Sequence, residues 1–286
     1  MSNYDIFKAP DVLKAQPRDE KIKLHGPADF EGMRKAGILA AATLDMLVPH
    51  VVPGVTTQKI DDLILQFALD HKAIPATLNY RGYTHSTCTS INHVVCHGIP
   101  GPKVLREGDI VNIDVTLIVD GWHGDTSRMY GVGTIKPRAA RLIEVTYESL
   151  VRGIAAIKPG ATTGDIGLAI ETYARAQRCS VVEDFCGHGL GRLFHDRPNI
   201  LHYRHSTDGK DAGPGIRLEP GMFFTIEPMI NLGKAAVKVL GDGWTAVTRD
   251  RELTAQCEHT IGVTKDGCEI FTLSPAGHFM PPFQVH

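Results

Sequence analysis

No apolar run in the 286-residue chain is long enough to span a bilayer, and the best candidate, AGILAAATLDMLV, is broken by Asp45. A membrane-embedded protein is therefore not expected. No CxxC pair occurs among Cys88, Cys96, Cys179, Cys186, Cys257 and Cys268. In a chain of this length they do not form a disulfide framework and read as reduced thiols of a cytosolic protein. Charge excess is also missing: 30 Lys and Arg against 32 Asp and Glu give a net charge of −2. That supplies no field for nucleic acid or an anionic membrane, and neither partner is expected. Low-complexity tracts are absent, and no apolar segment follows the N-terminal charges as a signal peptide requires.

What is present is 43% apolar residues, enough for one large α/β domain or two small ones. Residues 1–25 are polar and aperiodic and read as an N-terminal arm. A helix is predicted over about 29–48, from the spacing of Phe30, Met33, Leu44 and Leu47, with Pro49 helping to stop it. Next comes PGVTTQKIDDLILQFALDH, with Thr57 as N-cap and Ile60, Leu63, Ile64 and Phe67 as an apolar stripe. The text returns as PGATTGDIGLAIETYARAQ. Pro53 and Pro159, Thr57 and Thr163, Ile60 and Ile166, and Ile64 and Ile170 are each 106 residues apart. A second pair, VLREGDIVNIDV and RLEPGMFFTIEP, matches Gly108 to Gly221, Ile113 to Ile226 and Asp114 to Glu227 at a spacing of 113. Two long repeats predict a pseudo-twofold single domain over 26–286, with halves of about 26–135 and 136–286 and the site between them.

The stretch GDIVNIDVTLIVDGWHGDTSR carries two acids in a run that otherwise reads as buried strand. Asp120-Gly121 is a two-residue hairpin signal. The register it sets pairs Val119 with Trp122 and Thr116 with Asp125, so that Asp114 and Asp125 share one face. Like charges that close need a proton or a cation between them. The repeat adds Glu227, and Glu258 lies in a short alternating run of the second half as Asp125 does in the first. Four carboxylates with a nitrogen ligand and no thiolate favour divalent ions such as Mn, Fe, Co, Mg or Zn, about two of them on charge grounds. His97, His188 and His195 sit in glycine-rich text, and one of them is expected to supply the nitrogen while the others handle protons or an oxyanion. His202 and His205 read as surface-loop residues. GHGLGR misses the spacing of a dinucleotide loop, and adjacent Cys96 and His97 are poorly placed for thiol catalysis.

At these residues the chain resembles the type I methionine aminopeptidases. SINHVVCHGIP, GDIVNIDVT, HGDTSR, GHGLGRLFH, PGMFFTIEPM and DGWTAVTRDRELTAQCEHT occur in order. The resemblance implies the pita-bread fold, an α/β (α+β) arrangement with antiparallel sheet inside and helices on its outer face. It implies removal of N-terminal methionine from nascent polypeptides, with a small second residue preferred. The implied metal ligands are Asp114, Asp125, His188, Glu227 and Glu258, with Asp125 and Glu258 bridging two divalent ions drawn from Mn, Fe, Co or Zn. Catalytic roles fall to His97, His195 and Glu227. The methionine pocket maps to Tyr80, Tyr83, Cys88, Phe194 and Trp244, with His97 and His195 also contacting substrate. A Na or K ion maps to Asn92, Val94 and Thr254. A cytoplasmic monomer with ribosome contact is implied as well. Against the family pattern, the arm lacks a Cys/His zinc-binding extension, His93 stands where an acid is common, and 207–215 reads as a small loop insertion. An Xaa-Pro peptidase would carry a further N-terminal domain, and a non-catalytic relative would have lost ligands.

Overall fold

The computed structural model describes residues 21–278, and most of the expected arm lies outside them. His25, placed in the arm by the sequence, is buried and stacks on Phe223 with ring centroids 4.2 Å apart.

The predicted first helix runs from Pro27 to Leu47 (α1). Pro27 has no N–H and so needs no acceptor at this end, and Asp29 accepts from the Gly26 N–H at 3.1 Å. Asp45, which interrupts its apolar text, is answered by Arg128 Nη1 at 2.7 Å and by Ser274 Oγ at 2.7 Å. α2 (Thr57–Asp70) starts one residue earlier than its predicted cap implied. Thr56 is extended and its side chain accepts from Lys59 N at 3.1 Å, so Thr56 is the cap. The Thr57 hydroxyl donates instead to the Gly101 carbonyl at 3.0 Å. α3 (Pro137–Ala155) and α4 (Thr163–Ala176) complete the helices, and Thr162 caps α4 as Thr56 caps α2.

Matched positions of the two repeated segments share backbone features. Isolated antiparallel bridges join Thr56 to Val104 in one half and Thr162 to Arg217 in the other. Left-handed residues recur in matching places: Lys72 with Arg178, and Gly108 with Gly221. Each half has its own core. Leu44, Leu47, Ile60 and Ile64 of α1 and α2 pack on Val111, Ile113, Val115 and Leu117. Leu142, Ile143, Ile166 and Ile170 of α3 and α4 pack on Phe224, Ile226 and Ile261. The matched pair Ile113 and Ile226 is fully buried in both cores.

All pairings between described strands are antiparallel. The long hairpin Ile110–Val119 and Trp122–Gly131 pairs Val119 with Trp122 and Thr116 with Asp125, as the turn signal implied. Asp120 and Gly121 have φ of 50° and 81°, the two left-handed residues such a turn requires. Strands Phe223–Ile226 and His259–Val263 form the corresponding pair in the second half, within a five-stranded sheet. A bridge from Ser127 to Glu258 joins the halves. The bridge between His205 and Asp211 closes a turn over 206–210, and 212–215 continue beyond it without strand pairing.

Candidate metal centre and substrate cavity

Asp114 and Asp125 project from one face of the hairpin, and Thr116, the register partner of Asp125, donates to its Oδ1 at 2.6 Å. Glu227 follows the strand Phe223–Ile226, where Thr225 Oγ1 donates to its Oε1 at 2.8 Å and Gln256 Nε2 to its Oε2 at 3.2 Å. Glu258 is placed by the bridge to Ser127, and Thr126 Oγ1 donates to its carbonyl at 2.8 Å. The imidazole comes from the strand Gly187–Gly189. His188 Nδ1 faces the Gly189 carbonyl at 3.1 Å and so acts as donor, which turns Nε2 towards Asp125 Oδ2 at 3.5 Å and Glu227 Oε1 at 3.7 Å.

The sequence matched Glu258 with Asp125. Register corrects this. Ile113 pairs with Arg128 and Ile226 with His259, while Thr116 pairs with Asp125 and Met229 with Gln256. Gln256 therefore stands where Asp125 stands in the first half, and Glu258 corresponds to Ser127. Residues two apart share a strand face, so all four acids still converge although only Asp114 and Glu227 are true counterparts.

This donor set fits a divalent cation. Ligand atoms of Asp125, His188 and Glu258 all lie within 4.8 Å of one another. Asp114 Oδ1 is buried without a hydrogen-bond partner among the described residues. Burial, reinforced by the Asp125 carboxylate, pushes Asp114 and Glu227 well above the usual carboxylate range. Glu258 is raised by burial and by Asp125, Glu227 and Asp114 together. Burial lifts Asp125 to about 7 against the pull of Thr116. Carboxylates that resist ionising together, beside an imidazole nitrogen aimed at them, are what a cation would relieve.

These five side chains form one wall of a cavity of 340 Å³. Every residue assigned to substrate from the sequence lines it: Tyr80, Tyr83, Cys88, His97, Phe194, His195 and Trp244. Tyr83 meets Trp244 edge-on at 5.0 Å, and Tyr80 meets Phe194 at 4.9 Å. His195 lies 4.2 Å from His188, ring to ring. Burial lowers the His97 pKa, which favours the neutral imidazole. Phe185 and Met229 also line the cavity and were not singled out from the sequence. Their only signal was an apolar residue beside each ligand-bearing motif.

His202 is the other omission. It is not a surface-loop residue but fully buried, and its Nε2 accepts from the Glu227 N–H at 3.1 Å. His205 is the more exposed of the two, with Nδ1 3.5 Å from Glu171. Of the residues assigned to a monovalent ion, Asn92 and Thr254 are brought together, the Thr254 N–H donating to the Asn92 carbonyl at 2.9 Å. Val94 opens the strand Val94–Cys96 next to them. Thr254 Oγ1 is buried and unpartnered among the described residues.

The chain is similar to proteins of known activity. A methionine aminopeptidase of Rickettsia prowazekii is 57% identical over 263 residues, covering 92% of this chain and 99% of that protein. A methionine aminopeptidase of Escherichia coli is 49% identical over 254 residues, covering 88% of this chain and 94% of the relative. The crystal structure of methionine aminopeptidase from Rickettsia prowazekii matches with a TM-score of 0.85 and 57% identity, over 88% of this chain and 100% of that one. Residues 31–265, which include all five acidic and imidazole groups of the cluster, match the model of metallopeptidase family M24, and the chain belongs to that family.

Proposed function

We infer that this protein is a methionine aminopeptidase, which removes the first methionine from new polypeptides when the second residue is small. One observation carries the reading: four carboxylates and one imidazole form a wall of the same 340 Å³ cavity that Tyr80, Tyr83, Cys88, Phe194 and Trp244 line. Aromatic rings and a buried thiol suit a thioether side chain, and a cavity of this volume selects by size.

Asp114, Asp125, His188, Glu227 and Glu258 would together hold two divalent ions. Two are called for because four ionised carboxylates need about four positive charges. Mn, Fe, Co and Zn all suit such donors. When bound, these ions make water a nucleophile near neutral pH and polarise the scissile carbonyl. Glu227 carries a proton to the leaving amine, its carboxylate held by Thr225 and Gln256. His195 stabilises negative charge on the carbonyl oxygen, and neutral His97 contacts the substrate amide. Asn92, Val94 and Thr254 would hold one Na or K ion beside the site.

The substrates are N-termini of nascent chains, so the place of work is the cytoplasm, as a monomer in contact with the ribosome. No described helix is long and apolar enough to cross a membrane. The direct test is release of methionine from Met-Ala-Ser, abolished by a chelator and restored by added metal, with no release from Ala-Pro-Gly. Chelator-insensitive turnover, or cleavage of the proline peptide instead, would overturn the reading.

A further inference from the structure

Glu227 stands where one strand ends and another begins. Phe223–Ile226 belongs to the five-stranded sheet and Met229–Asn231 to a three-stranded one, with Glu227 and Pro228 between them. Proline has no N–H, and the Glu227 N–H lies outside the paired register of both strands. A backbone donor at this depth needs an acceptor. The acceptor is not backbone but a side chain 25 positions upstream: His202 Nε2, at 3.1 Å. Because Nε2 accepts, the ring is neutral with its proton on Nδ1. His202 is fully buried and does not line the cavity, so it acts on the site only through Glu227.

His202 is in turn held by α4. A Cβ at Gly167 would meet the Tyr203 carbonyl oxygen at 2.6 Å and that of Leu201 at 2.8 Å, so helix and segment touch backbone to backbone on both sides of His202. One turn on, the Glu171 carboxylate accepts from Arg204 N and His205 N, each at 2.9 Å. Residues 167 and 171 share a helix face. The contacts run without a break from α4 through 201–205 to the backbone that aims the Glu227 carboxylate.

We propose that His202 is a positioning residue for Glu227, fixing the strand junction from which that carboxylate reaches the metal site, and that α4 holds His202 in place. The proposal rests on the reading of Glu227 as a metal ligand. Nothing in the text LHY announces such a role, since the partner is a backbone N–H rather than a side chain.

The test compares His202→Gln, whose Oε1 can reach the Nε2 position, with His202→Leu, which removes the acceptor. Two quantities are measured: amide exchange at Glu227 in metal-free protein, and affinity for Co(II) by calorimetry. His202→Leu should lose protection at the Glu227 amide and bind Co(II) about 10- to 100-fold more weakly, the range for partners that orient a ligand, while His202→Gln stays within about threefold of the parent. Gly167→Ala, which keeps the His202 side chain but pushes on the backbone that carries it, should weaken Co(II) binding in the same direction. Equal affinity in His202→Leu and the parent, or equal damage in the Gln and Leu variants, overturns the positioning role. An unaffected Gly167→Ala overturns the part given to α4. A parent protein that takes up no Co(II) overturns the metal reading itself and this role with it, and the flat parent titration marks that case.

Discussion

Burial lifts the Asp125 carboxyl to about 7, from an ordinary value of 3.8, and this has a measurable consequence for the metal-free protein. A carboxyl raised by folding favours the folded state while it is protonated. That stability is complete below the unfolded value near 4 and is lost as pH rises through about 7. Asp114, Glu227 and Glu258 shift in the same direction. Metal-free protein should therefore melt at a lower temperature at pH 8 than at pH 5, and saturating Co(II) or Mn(II) should reverse the order, because ions compete with protons for the same oxygens. A thermal shift flat across this range, or one unaffected by metal, would contradict the site's electrostatics. His195 makes a separate prediction: His195→Ala should lower kcat by about 10²–10³, as for other oxyanion donors, with metal affinity nearly unchanged. An unaltered kcat would remove that role. At this scale Asp114 and Glu227 were legible because they recur at matched positions of a repeat, and His188 because of its motif. His202 was not, because a side chain that answers a backbone donor leaves no pattern of residue types.

Among the elements, the hairpin was the most legible. Asp120-Gly121 demands two left-handed residues and thereby the register, which puts Asp114 and Asp125 on one face. The helix caps were displaced by one residue, since either of two adjacent threonines can cap and only the backbone chooses between them. Glu258 was matched to Asp125 by alternation alone, and alternation cannot distinguish residues two apart on one face. What holds the hairpin against α1 is hidden from sequence patterning. A Cβ on Gly124 would come within 2.3 Å of the Ala36 carbonyl carbon and carbonyl oxygen, so α1 and the strand bearing Asp125 are in backbone contact. Gly124→Ala should cost about 1–3 kcal/mol of stability, the usual penalty of overpacking, measurable by urea unfolding of the metal-free protein. A loss below that range would mean α1 can move aside without strain.

For the whole molecule, the repeat accounts for both the architecture and the location of the site. The two helical cores are built from matched residues, and the bridge between Ser127 and Glu258 closes the halves on the acids. The departures from symmetry, Gln256 opposite Asp125 and Ser127 opposite Glu258, fall at the centre where the two halves supply different groups. Membership of metallopeptidase family M24 places this pita-bread arrangement among metal-dependent peptidases. Crystals soaked in Co(II) and measured at the cobalt absorption edge test most directly the proposal that Asp114, Asp125, His188, Glu227 and Glu258 form one metal cage. Two anomalous peaks roughly 3.5–4 Å apart are expected among these five side chains, with at least one of them lost in His188→Ala and in Glu227→Ala crystals. Crystals with no peak between these residues, or with cobalt only at other parts of the surface, would contradict it.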